Sequence, residues 1–159
     1  MNVLPWHQQA WARWVETHHR GRLAHAYLLH ARPGFGRDEF ARAFVAGLLC
    51  AHPQRDGRAC GVCARCGWYQ AQSHPDVLEV HPSGASETIT VDSIREAADF
   101  MTLSAQENSW KTVLVFRAER LNTFAANSLL KTLEEPPERG LLVLMADTPA
   151  ALLATLRSR

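Results

Sequence analysis

The sequence predicts an α/β protein in which a parallel β-sheet is covered by helices on both faces. Two nearly continuous apolar runs, 111–116 and 141–145, are typical of strands that are buried on both faces of such a sheet. A third short apolar segment, 27–30, leads through a turn rich in glycine and proline into a helical pattern. Strands that alternate with helices along the chain form parallel sheets.

Length and composition fit a single folded domain. The chain has 159 residues, of which 47% are hydrophobic and 21% are charged, and this is ordinary for a globular domain. The net charge of +1 produces no global field that would favour nucleic acid or a membrane. The sequence shows no secretory signal at its N-terminus and no apolar stretch of membrane-spanning length, so we expect a cytoplasmic protein without membrane contact.

The first part of the chain carries two helical patterns around one strand. Trp11, Trp14 and Val15 recur at helical spacing and predict an amphipathic helix over 3–19. The strand 27–30 and a turn over 32–36 follow. A second helix over 37–49 then has an apolar residue at every fourth position: Phe40, Phe44 and Leu48.

The later elements repeat the order of strand and helix. Asp92 and Asn122 are predicted N-caps of two helices, and Pro136 ends the second of these helices. In chain order we expect a short helix at 68–72, a strand at 77–80, a helix after Asp92, a strand at 111–116, a helix at 123–135, a strand at 141–145 and a short helix at 150–156.

The strand, turn and helix over 27–49 have the order of a phosphate-binding loop. Glycines let backbone N–H groups approach an anion, and the helix N-terminus supplies partial positive charge. Gly34 and Gly36 fit, but Arg37 stands where such a loop has lysine, and Asp38 stands where it has the magnesium-binding hydroxyl. A carboxylate about 4 Å from a phosphate repels it by roughly 4 kcal/mol at an effective dielectric near 20. ATP is therefore not expected to bind productively, and a plain turn explains the two glycines equally well.

The strand 111–116 also lacks the acids of a nucleotide-hydrolysing enzyme. Such enzymes end the equivalent strand in Asp-Glu, which serves magnesium binding and water activation. Phe116 and Arg117 occupy these positions here. Glu119 lies beyond the strand end, and we assign it a surface role.

Four cysteines predict a metal site. Cys50, Cys60, Cys63 and Cys66 have the spacing C-x9-C-x2-C-x2-C, which suits a tetrahedral zinc ion. Two disulfides are the alternative, but a cytoplasmic chain is kept reduced. A four-cysteine site leaves no open coordination position, so the zinc is expected to be structural.

Several segments in the same order resemble the AAA+ subunits of bacterial DNA polymerase III clamp loaders. These segments are 25–29, the cysteine segment 50–66, His74-Pro75-Asp76, 91–95, 127–137 and 153–159. The resemblance implies an AAA+ domain of P-loop NTPase type over 1–159, with a degenerate P-loop and the zinc insertion at 50–66. It also implies that the lid and collar domains of the family are absent from this chain.

The resemblance further implies a function and partners. A five-subunit loader opens the sliding clamp and places it on primer-template DNA, so the gamma/tau and delta subunits are the expected partners. Loss of the loop lysine, the hydroxyl and both strand-end acids resembles a subunit that does not hydrolyse ATP. Arg159 matches the arginine that, in this family, enters the nucleotide site of the neighbouring subunit as an arginine finger.

Two other functions stay open at this stage. The first is an ATP-hydrolysing gamma/tau-type subunit in which Arg37 replaces the lysine. The second is a zinc-dependent nucleic-acid-binding module that uses Arg55, Arg58 and Arg65, although a sequence pI near 7.8 gives it little support.

Overall fold

The computed structural model of the chain describes residues 3–105, 109–152 and 156. Within these ranges the chain forms a four-stranded parallel sheet in the order β1-β4-β3-β2. The strands are β1 (Ala26–His30), β2 (Val77–Val80), β3 (Lys111–Val115) and β4 (Gly140–Ala146). The two central strands are buried along their whole length, as the continuous apolar runs predicted.

Helices cover both faces of the sheet. They are α1 (Gln8–His19), α2 (Arg37–Leu49), α3 (Ala64–Gln70), α4 (Val91–Thr102) and α5 (Thr123–Glu134). Because side chains alternate along a strand, Val113 and Leu114 enter different cores. Val113 packs with apolar residues of α4 and α5. Leu114 packs with the tryptophans of α1 and the apolar residues of α2. The predicted α/β architecture is confirmed.

The strand register brings three loops together at the carboxyl-terminal end of the sheet. Leu28 of β1 lies opposite Leu144 of β4, and Leu144 lies opposite Val115 of β3. Because all these strands are parallel, the segments that follow β1, β3 and β4 all lie at this end of the sheet. The predicted nucleotide loop follows β1, and the predicted strand-end positions 116 and 117 follow β3.

Some predicted helix boundaries differ from the structure. A 3-10 turn at Pro5–His7 precedes α1. The N-cap of α4 is Thr90, whose Oγ1 accepts a hydrogen bond from the Ser93 N–H, so the assignment of this cap to Asp92 is wrong. The Asn122 cap is confirmed, since its Oδ1 accepts from the Ala125 N–H at 2.8 Å.

The C-terminal prediction is only partly covered by the structure. A 3-10 turn occupies Pro149–Ala151, where the sequence predicted the start of a helix, and residues 153–155 of that helix lie outside the described ranges. Among the helices of the described ranges, none is both long enough and apolar enough to traverse a lipid bilayer.

Candidate metal centre and candidate nucleotide loop

The four cysteine sulfurs converge on one point. All lie within 4.8 Å of one another. The Sγ–Sγ distances are 3.9 Å from Cys50 to Cys63, 3.9 Å from Cys60 to Cys66 and 3.6 Å from Cys66 to Cys50. A tetrahedral zinc with Zn–S bonds of about 2.3 Å separates its sulfurs by about 3.8 Å. The thiols are free, so the structure gives no support to the disulfide alternative, and the site can hold one metal ion.

Local structure presents these sulfurs to one another. Cys50 follows α2 directly, Cys63 is the N-cap of α3, and Cys66 lies in α3. The Cys60 N–H donates to the Cys50 Sγ at 3.3 Å. Desolvation raises the pKa of the Cys66 thiol to about 12. Desolvation also acts on Cys63, but hydrogen bonds from the backbone N–H groups of Cys66 and Ala51 outweigh it and lower the pKa of Cys63 to about 6.

The cysteine insertion packs on α1 and α2. The Trp11 Nε1–H donates to the Asp56 carbonyl at 2.7 Å. A Cβ at Gly47 of α2 would lie 2.3 Å from the Gly57 carbonyl oxygen, so the two backbones approach closely. Gly57 itself has φ +80° and lies against Val15 of α1. The metal site is therefore fixed to the same helices that flank the glycine loop.

The loop after β1 adopts the predicted turn. Gly34 and Gly36 have φ values of +83° and +75°, which glycine adopts most readily. The N-terminal segment covers this loop, because a Cβ at Gly36 would lie only 2.2 Å from the Leu4 Cδ1 atom. The Trp6 Nε1–H donates to the Phe35 carbonyl at 2.9 Å.

Arg37 is committed to two carboxylates of the protein itself. Its Nη1 lies 2.5 Å from the Asp147 Oδ1, and its Nη2 lies 2.8 Å from the Asp38 Oδ1. The Arg37 side chain is only 10% exposed. Desolvation lowers its pKa, but the hydrogen bonds and charges of Asp38 and Asp147 outweigh this effect and raise the pKa. Arg37 thus stays charged, and its charge is neutralised inside the protein.

A cavity of about 590 Å³ adjoins this cluster. Arg32 and Arg117 line it together with Asp38, Glu39 and Asp147. Because Asp38 and Asp147 already bind Arg37, an incoming polyphosphate would have to displace these carboxylates to reach this cation. The geometry retains the shape of a phosphate loop without a cation free to receive phosphate at position 37.

The two positions that follow β3, 116 and 117, carry no acidic residue. Phe116 is buried and stacks on the His81 ring, with centroids 4.3 Å apart. Arg117 has φ +53°, and its Nη1 lies 3.0 Å from the Glu87 Oε2. An aromatic ring and a paired cation therefore stand where magnesium binding and water activation need carboxylates.

The structure corrects the role assigned to Glu119. Its Oε2 accepts a hydrogen bond from the Asp147 N–H at 3.3 Å, so it supports the Arg37 cluster and is only partly exposed. Sequence reasoning also missed Asp147, which follows β4. The sequence offered one signal for Glu119 and Asp147: each follows a predicted parallel strand, and the carboxyl-terminal ends of parallel strands lie close together.

The predicted arginine finger, Arg159, lies outside the described residues. The structure therefore says nothing of its contacts, and its role stays a prediction.

The order of the parallel strands, the helices on both faces and the glycine loop between β1 and α2 are those of an α/β domain with a P-loop NTPase type of fold. A solved structure of a DNA polymerase III gamma subunit-related protein from Thermotoga maritima is similar, with a TM-score of 0.63 and 26% identity over 96% of this chain and 43% of that one. Together with the parallel sheet and its covering helices, this similarity confirms the predicted AAA+ type fold.

Sequence comparison is more specific. The family profile described as DNA polymerase III, delta subunit, matches residues 6–159. The DNA polymerase III subunit delta' of Pseudomonas aeruginosa is 40% identical over 99% of this chain and 47% of that protein. The subunit tau/gamma of Haemophilus influenzae is 35% identical over 87% of this chain and 20% of that protein. The chain belongs to the DNA polymerase III delta-prime family, and it spans about half the length of the delta-prime relatives.

Proposed function

We propose that this chain is the AAA+ domain of a clamp-loader subunit that does not hydrolyse ATP. In this proposal it works in the cytoplasm with gamma/tau and delta subunits to load the sliding clamp onto primed DNA. The lid and collar domains belong to the part of the protein beyond this chain. Family membership supports the assembly, and the closed cluster of Arg37, Asp38 and Asp147 carries the claim that hydrolysis is absent.

Binding ATP in this loop would require several unfavourable steps. Arg37 would have to leave Asp38 and Asp147, and hydrogen bonds to charged groups contribute about 1.5–3 kcal/mol each. The released carboxylates would then face the phosphates. No hydroxyl at position 38 and no acid at 116 or 117 could recover this energy through magnesium.

The cysteine site fits a structural role for zinc. Four thiolates close the coordination sphere, so bound zinc would hold the insertion together and would not activate water. The nucleic-acid alternative gains little from the geometry, because the Arg58 Nε lies 2.7 Å from the Asp56 Oδ2.

Arg159 supplies the active contribution of the subunit in this proposal. An arginine at the subunit edge is always charged and presents a rigid donor fork to the charge that develops on the γ-phosphate of a neighbour. This role explains how a domain with a degenerate loop remains useful: it completes an active site on the adjacent gamma subunit.

The test is Arg159→Ala in the full-length protein, assembled with gamma/tau and delta subunits, with Arg157→Ala as the matched control. We expect assembly to survive and hydrolysis at the adjacent gamma site to fall about 10³-fold in Arg159→Ala alone. Single-turnover hydrolysis at that site is the measurement. Unchanged hydrolysis, or an equal loss in Arg157→Ala, would refute the finger.

A further inference from the structure

The first cysteine of the metal site is joined to the other three by a loop, 51–59, that contains none of the four sulfurs. Cys60, Cys63 and Cys66 are close in sequence, with two residues between each pair. Bringing Cys50 to this group therefore requires closure of the longer loop, which costs conformational entropy. Contacts that order the loop in advance reduce this cost and raise metal affinity.

Hydrogen bonds within the loop form a turn at 54–58. The Gln54 N–H donates to the Arg58 carbonyl at 2.8 Å, and the Gly57 N–H donates to the Gln54 carbonyl at 2.9 Å. The Asp56 carboxylate accepts from the Arg58 backbone N–H at 3.1 Å and from the Arg58 Nε at 2.7 Å. All these contacts lie inside the loop, so none of them fixes the turn against the rest of the domain.

Helix α1 supplies contacts that fix the turn. The Trp11 Nε1–H donates to the Asp56 carbonyl at 2.7 Å, across 45 residues of sequence. Trp11 is only 6% exposed, and a hydrogen bond shielded from water is electrostatically stronger than an exposed one. Gly57 lies against Val15, one turn further along α1. The helix thus contacts two consecutive residues of the turn.

The Trp11 ring also contacts the helix that leads to the first cysteine. It packs edge-on against Phe40 of α2, with ring centroids 5.8 Å apart. Cys50 follows the last residue of α2 directly, and Cys60 lies shortly after the turn that Trp11 holds. One side chain therefore connects the element before Cys50 with the segment before Cys60.

We propose that Trp11 is a positioning residue of the metal site, which preorganises Cys50 and Cys60 by holding the turn at 54–58 against α1 and α2. The ligand is a divalent cation that accepts four thiolates, such as zinc. This inference rests on the structural metal role in the proposed function. Coupling between two binding events is reciprocal, so bound zinc should in turn stabilise the docked turn.

The test measures zinc affinity of full-length Trp11→Phe by competition with a chromogenic chelator at fixed pH. Trp6→Phe is the matched control, because it also removes an indole N–H that donates to a loop carbonyl, that of Phe35 in the glycine loop. Loss of one hydrogen bond predicts zinc affinity about three- to tenfold weaker in Trp11→Phe. Trp6→Phe is expected to bind zinc as tightly as the wild-type protein.

A second variant keeps the test decisive if Trp11→Phe does not fold. Val15→Ala removes the side chain against which Gly57 lies but retains the Trp11 hydrogen bond. It should also weaken zinc affinity, because the turn loses part of its contact with α1. Wild-type affinity in the folded Trp11→Phe protein, or in Val15→Ala where Trp11→Phe does not fold, would overturn the proposal. An equal loss in Trp6→Phe would overturn it as well.

Hydrogen exchange of the metal-free proteins separates positioning from a general loss of stability. Trp11→Phe should speed exchange at 54–58 and leave β3 and β4 as protected as in the wild-type protein. Exchange that rises equally in the turn and in these strands would show a general structural role and overturn the proposal. A wild-type protein that binds no zinc would contradict the proposed metal role instead, so the two failures are distinguishable.

Discussion

Arg37 keeps a positive charge in the glycine loop but directs its guanidinium to carboxylates of its own chain. A guanidinium is a planar fork suited to carboxylates, and it binds Asp38 and Asp147 here. Asp38, the next residue in the chain, is one of the two acids that hold this arginine.

The buried ion pair of Lys111 and Asp76 allows the contribution of one residue to stability to be measured. The Lys111 Nζ lies 2.9 Å from the Asp76 Oδ1, and the side chains are 8% and 1% exposed. Asp76→Asn leaves the lysine charge buried beside a neutral amide. We predict a loss of about 3–5 kcal/mol in the free energy of unfolding, measured by urea denaturation.

The control for Asp76→Asn is Asp92→Asn. Asp92 pairs with Arg95 at 3.3 Å, and both side chains are largely exposed, so the pair contributes about 0–1 kcal/mol. Equal losses in the two variants would contradict the importance of burial at Asp76.

At the scale of elements, the docking of the cysteine insertion on α1 depends on Gly57. Gly57 and Gly61 both have φ +80°, so alanine is strained at either position by about 1–2 kcal/mol. A Cβ at Gly57 would also lie 2.6 Å from the Val15 Cγ2, whereas nothing lies within 4 Å at Gly61. We predict that Gly57→Ala destabilises the protein more than Gly61→Ala in thermal unfolding. Equal effects would show that the close packing on α1 is unimportant.

Metal removal tests the insertion as a unit. Protein purified without chelator is predicted to contain about one zinc per chain by metal analysis. Cys63→Ser should loosen residues 50–66 but leave the sheet largely folded, because all four strands lie outside this segment. Hydrogen exchange can resolve the two regions. A metal-free preparation with a fully protected insertion, or a thiol count showing two disulfides, would contradict the zinc site.

Local patterns explain which elements could be predicted. The buried strands 111–116 and 141–145 match β3 and β4 to within a residue at each end, because continuous apolar runs have few other uses in a parallel sheet. The α4 cap was misassigned because Thr90 and Asp92 can both cap a helix and lie two residues apart. Propensity alone does not choose between them, whereas the backbone at Thr90 is extended and that at Asp92 is helical.

Whether the residues of a site could be predicted depends on how far apart they lie in the sequence. The cysteine cluster was predictable because all its members lie within one short segment. The partners of Arg37 were not, because Asp147 reaches it only through the pairing of β1 with β4. Glu119 joins the cluster through a backbone hydrogen bond, which no side-chain pattern indicates.

At the scale of the whole molecule, both candidate sites adjoin the N-terminal region. Leu4 and Trp6 cover the glycine loop, and Trp11 of α1 holds the cysteine insertion. The domain thus has a glycine loop whose arginine is already paired within the protein, and a cysteine insertion that can hold a metal ion and packs on α1 and α2.

The most direct test of the central claim is titration of the full-length protein with Mg-ATP by calorimetry, with a gamma/tau subunit as the positive control. The closed Arg37 cluster and the missing magnesium ligands predict a Kd weaker than about 1 mM and no magnesium-dependent turnover. Binding in the micromolar range with turnover, both abolished by Arg37→Ala, would contradict the account and would indicate an ATP-hydrolysing subunit.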